Sequence, residues 1–107
     1  MIGKSVVVHG QIIGQEDLVI DGEVKGTVEL NGHKLTIGVT GKVQADSIKA
    51  REVIVQGSVK GSIQAVDKVI LRKDAQLVGD VQTAGIMIED GAYFKGGIDI
   101  RKAGQPD

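Results

Sequence analysis

The sequence predicts an all-β, single-domain parallel β-helix, a three-sided solenoid of about six coils. Three observations carry that expectation: a phrase that recurs down the chain, an apolar set dominated by β-branched residues, and turns rich in glycine. The phrase "GEVKGTVEL" (22–30) returns thirty-five residues later as "GSVKGSIQA" (57–65). The chain has 15 Val and 13 Ile against 5 Leu, with one Phe, one Tyr and no Trp. Side chains branched at Cβ are stiff at χ1 and suit a pleated surface better than a helix. Sixteen Gly and a single Pro, Pro106, allow many tight turns.

The template small-x-apolar-x-small-x-apolar matches "GEVKGTV" (22–28), "GSVKGSI" (57–63), "AQLVGDV" (75–81) and "AYFKGGI" (92–98). Weaker copies are "GKVQADS" (41–47) and "GQIIGQE" (10–16), in which the last apolar position is lost. Successive starts lie 12, 19, 16, 18 and 17 residues apart, one unit per roughly 17 residues. An apolar triplet precedes each copy: "VVV" (6–8), "LVI" (18–20), "LTI" (35–37), "VIV" (53–55), "VIL" (69–71) and "IMI" (86–88). Short turns follow Ile20 ("DG") and Val55 ("QG"), whereas "GVTG", "RKDA" and "EDGA" follow Ile37, Leu71 and Ile88. Period-two alternation recurs between these turns, and no helical period does.

Strands this short cannot bury a face alone, and a unit that contacts only its neighbours is a solenoid. Three short strands and three turns close one triangular coil. Coils stacked ~4.8 Å apart pair each strand in parallel with its copies above and below. Leu18, Leu35, Val53, Val69 and Ile86 then form one inward column, and Ile20, Ile37, Val55, Leu71 and Ile88 a second. Val24, Val43, Val59, Leu77 and Phe94 form a third, and Val28, Ile63, Val81 and Ile98 a fourth. The interior is structural.

The order of "EDLVIDGEVKGTVEL", "VIVQGSVKGSI" and the closing "IMIEDGAYFKGGIDI" resembles the bactofilins, polymer-forming cytoskeletal proteins of bacteria. The resemblance covers about residues 4 to 100. It implies a right-handed β-helix that polymerises end to end, without nucleotide, into non-polar filaments scaffolding cell-wall enzymes or other proteins. The absence of cysteine and an N-terminal apolar run too short for a signal peptide point to a cytoplasmic protein, and the resemblance adds membrane attachment in some members through a short N-terminal segment. Only five residues precede the first apolar triplet here, a departure from the members that contact the inner face of the membrane. The expected organisation is a short N-terminal segment (1–5), the β-helix (6–100) and a polar, flexible tail (101–107).

A solenoid's end coils expose unpaired strand edges and an apolar cross-section, a template for association unless capped. Neither end carries a legible cap. Val6, Val8, Ile12 and Ile13 mark the N-terminal end; Ile86, Ile88, Tyr93, Phe94, Ile98 and Ile100 mark the C-terminal one. The middle residues of the triplets, Val7, Val19, Thr36, Ile54, Ile70 and Met87, point outward by the two-residue period. Two readings fit that stripe: β-branched propensity on a solvent face, or a lateral contact between filaments or with a partner.

Other functions find less support. The net charge of −1 and the near absence of aromatics argue against nucleic acid. Lys25, Lys60 and Lys95 share one outward template position, interrupted by Val78, Gln44 and Ile13, and read as a solvated row. His9 and His33 are isolated, no cysteine is present, and nothing points to a metal or cofactor. Glu16-Asp17 and Glu89-Asp90 are adjacent in sequence, so they serve turns better than paired acid–base chemistry. The chain is therefore not expected to be an enzyme. A hexapeptide-repeat acyltransferase fits the six-residue step from Leu18 to Val24 to Leu30, but four-residue offsets such as Val24 to Val28 break it. A non-polymerising β-helix binding module, resembling the C-terminal domain of a division inhibitor, is the remaining alternative.

Overall fold

The computed structural model describes residues 2–3 and 5–100, with the side chain of Asn31 excepted. Its strands are β1 (Val7–Ile13), β2 (Leu18–Ile20), β3 (Glu23–Ile37), β4 (Lys42–Val55) and β5 (Ser58–Leu71). They continue as β6 (Gln76–Val78), β7 (Val81–Thr83), β8 (Ile86–Ile88), β9 (Tyr93–Lys95) and β10 (Ile98–Ile100). All pairings are parallel, and no helix occurs among the described residues. The chain is a parallel β-solenoid. The long strands β3, β4 and β5 bend through a corner and so serve more than one face.

Register follows the expected columns. Leu18 pairs with Leu35, Leu35 with Val53, Val53 with Val69 and Val69 with Ile86. Ile20, Ile37, Val55, Leu71 and Ile88 align in the same way. The third column runs Val8, Val24, Val43, Val59, Leu77, Phe94, which makes six levels joined by five turns of chain. The fourth takes in two residues that the repeat template omits, Ile12 above Val28 and Ile48 between Val28 and Ile63. A fifth column, Leu30, Ala50, Ala65, Thr83 and Ile100, lies beside it. These columns form one continuous hydrophobic core.

Two departures from the repeat reading have local causes. "VVV" (6–8) is not a counterpart of "LVI", because Val8 stacks on Val24 and Gly10 on Gly26. The first unit therefore starts at Val6 rather than Gly10, 16 residues before Gly22, and the short first spacing disappears. In "VQADSI", Ala45 pairs with Gly26 and Ser47 with Thr27, so Asp46 is an extra residue at the corner. The bulge carries Ile48 back into its column.

That corner column explains its glycines. Gly10, Gly26, Gly61, Gly79 and Gly96 all have positive φ, and a Cβ on Gly61 would overlap the Ala45 carbonyl oxygen of the coil before it. Parallel stacking brings corner backbones too close for any side chain. Ala45 needs no positive φ, and its methyl group enters the core instead. The extra Asp46 supplies the turn that glycine makes elsewhere.

Residues 1–5 were expected to precede the solenoid; of these, Ile2 extends it. Its N–H donates to the Val19 carbonyl (2.8 Å), and its own carbonyl accepts from the Asp21 and Gly22 N–H groups (2.7 and 3.2 Å). Ile2 thereby sits on Ile20 at the top of the second column. The expectation for 101–107 lies outside the described residues.

Candidate polymerisation surfaces

Each end of the solenoid is where a column stops, and exposure changes there over a single level. Leu71, Val81 and Thr83 are 0%, 2% and 2% exposed, whereas Ile88, Ile98 and Ile100 one level further on are 46%, 41% and 51% exposed. The positions are equivalent in register, so the difference is that no further coil among the described residues covers them. Ile86 and Phe94 are half-buried, packed on one side against the core. Among the described residues, β8 and β9 each pair on one side only, leaving an unpaired edge on two faces. Backbone N–H and C=O groups along such an edge call for partners. Tyr93 differs from its neighbour: it follows Gln76 in an outward row, so it flanks the cross-section while Phe94 lies within it.

At the N-terminal end, β1 is the strand with an open edge. Val8 and Ile12 face inward, half-buried over Val24 and Val28. Val7 and Ile13 point outward, paired with Glu23 and Glu29. Val6 precedes the strand in a turn, and its carbonyl accepts from the Glu23 N–H (3.0 Å). The sequence reading missed Ile2 and Leu18 at this end, both partly buried against the core. Ile2 was detectable: it precedes Ile20 by 18 residues, the step that separates Ile37 from Val55.

The outward stripe is only partly as expected. Val19, Thr36, Ile54, Ile70 and Met87 do align level by level. Val7 does not belong with them, because β1 carries it into the row of Glu23 and Lys42. Nor is the stripe an open apolar band. Ile54 and Ile70 lie outside the interior cluster yet are only 9% and 7% exposed, and just Val19 and Met87, at the two extremes, stand clear. The same-face neighbours two residues away are Glu52 and Gln56, and Lys68 and Arg72. Long polar side chains of this kind lay their stems over apolar surface and keep their heads in water.

The lysine row is headed by His9 at the first level, where Ile13 was expected. The acidic pairs tie coils together. Asp17 Oδ1 accepts from the Lys34 N–H (2.9 Å), and Glu89 accepts from the Lys73 N–H (3.0 Å) and from Arg72 Nη1 (3.2 Å). Each side chain thus satisfies a backbone donor on the neighbouring coil. No helix among the described residues is long and apolar enough to cross a membrane.

The described residues form a continuous apolar prism whose C-terminal column ends are exposed. The bactofilin family model, described as polymer-forming cytoskeletal, matches residues 1–99. Over 100 residues, 94% of this chain, the sequence is 46% identical to bactofilin BacO of Myxococcus xanthus strain DK1622, covering 78% of that protein. Over the same length it is 44% identical to BacN and 34% identical to BacP of that organism, covering 87% and 41% of them. Among solved structures, it superposes with a TM-score of 0.81 on a cryo-EM reconstruction of Thermus thermophilus bactofilin double helical filaments. That match has 31% identity and covers 91% of this chain and 96% of the other. With model, relatives and structure in agreement over nearly its whole length, the chain belongs to the bactofilin family.

Proposed function

We propose that this protein is a subunit of a cytoskeletal scaffold, assembling end to end and without nucleotide into non-polar filaments. The observation that carries the reading is the rise in exposure of Ile88, Ile98 and Ile100 over the buried residues one level inside them. Burying them again requires a surface of matching cross-section, and another end of the same chain provides one. Edge hydrogen bonds and apolar burial drive such a contact, and neither needs hydrolysis. The filaments of the Thermus relative support the same reading.

The non-polar arrangement has support from the two ends themselves. The fifth column finishes in Ile100 at one end, but at the other Gly14, whose N–H bonds the Glu29 carbonyl, lies over a fully buried Leu30. A head-to-tail junction would set Ile100 against glycine backbone. Joining like ends sets one apolar cross-section against another. The filament is proposed to act in the cytoplasm, holding cell-wall enzymes or cell-shape machinery along its flanks. Val19 and Met87 are the accessible apolar points on the stripe for a lateral contact.

Negative-stain microscopy of the purified protein with no nucleotide added tests this reading. Filaments on the order of a few nanometres wide, about the width of one coil, are expected, persisting after treatment with a phosphatase that removes residual nucleotide. A monodisperse dimer would favour a binding module, and a monodisperse trimer an acyltransferase.

A further inference from the structure

We infer that the two ends bind with unequal strength, so that assembly has two tiers. A dimer joined through C-terminal ends forms first, and dimers then connect through weaker N-terminal ends. The inference rests on the like-to-like reading above and adds the order of the two contacts.

A column-by-column comparison of the ends carries it. Ile88, Ile98 and Ile100 finish three columns at the C-terminal end, and all three are exposed. Their counterparts at the N-terminal end are Ile2, Ile12 and Gly14. Ile2 and Ile12 are already partly buried against the core, and glycine offers no side chain. The other two columns end similarly at both ends, in half-buried Ile86 and Phe94 or Leu18 and Val8. Within these inward columns the surplus apolar surface therefore lies at the C-terminal end, while the exposed Val6, Val7 and Ile13 of the first coil flank the columns, as Tyr93 does at the other end. Strand edges add to it, for among the described residues β8 and β9 each pair on one side only. At the other end Ile2 takes hydrogen-bonding positions beside β2, at Val19, Asp21 and Gly22. Apolar area removed from water sets most of the difference, and even one additional isoleucine side chain per subunit corresponds to at least about tenfold in affinity.

In a contact between like ends, each patch meets its own copy, so blocking one end leaves the other contact intact. Sedimentation of Val8→Arg and Ile88→Arg, across concentrations up to one at which the parent forms filaments, reads the two contacts separately. Circular dichroism verifies the β-fold of each, and Ile12→Arg and Ile100→Arg repeat the measurement at independent positions. Val8→Arg is expected to be a dimer, with Ile88→Arg dimerising only at concentrations at least tenfold higher. If Ile88→Arg dimerises as tightly as Val8→Arg, or more tightly, the order of assembly is wrong while the like-to-like reading stands. If both remain monomeric alone and form a heterodimer when mixed, the contact is head to tail, and that reading falls with the inference.

Discussion

Gly61 carries a large share of the local geometry on one backbone position. Its φ of 129° and the carbonyl of Ala45 stacked on it leave no room for a methyl group. Gly61→Ala should cost about 2 kcal/mol or more of unfolding free energy, because strain and overlap add. Gly32 is the control: its φ is 79°, but nothing lies within 4 Å of the position a Cβ would take. Gly32→Ala should cost only about 1 kcal/mol, the conformational part alone. Urea unfolding of both proteins checks the difference, and equal losses would mean that the stacked carbonyl does not matter. Ile54 and Ile70 pose a different residue-scale question. Since they are buried on the outer face, Ile54→Lys and Ile70→Lys should each lower stability by roughly 1–3 kcal/mol. Thermal unfolding of the single variants would show this, and an unchanged midpoint would return both residues to the solvent surface.

At the scale of a strand and its corner, the Asp46 bulge makes a second test. Deleting Asp46 alone forces Ala45 into the corner conformation that glycine adopts elsewhere, with a cost of about 1–3 kcal/mol. Deleting Asp46 together with Ala45→Gly reproduces the "VKGSI" corner and should leave stability near the parent's, as chemical denaturation would report. Most elements were legible in the sequence because like residues stack on like. Leu18 to Ile86 and Ile20 to Ile88 run as inward columns with no exception. The misreadings share one cause: periodicity identifies which residues repeat but not where a corner gains or loses one. "VVV" has the composition of an inward triplet, and only its pairing reveals that Gly10 is the corner. Asp46 hid Ile48 in the same way, and the varied lengths after Leu30, Ala50 and Ala65 hid the fifth column. Burial of Ile54 and Ile70 on an outer face was beyond the two-residue period, which assigns direction but not cover.

For the whole molecule, the account turns on the solenoid axis and the filament axis being one and the same. In the proposed filament, interior columns would continue across each junction and strand edges would meet at the ends, leaving the flanks for partners. With six levels per subunit, an axial advance of ~29 Å follows from ~4.8 Å per level, and joining like ends makes the true repeat twice that. The end-blocking variants address which contact is stronger, but diffraction from oriented filaments addresses whether the ends are the contacts at all. The expected pattern has its ~4.8 Å reflection along the fibre axis, with a subunit advance near 29 Å. A ~4.8 Å reflection perpendicular to the fibre axis would mean that subunits join through their flanks, and would contradict the account.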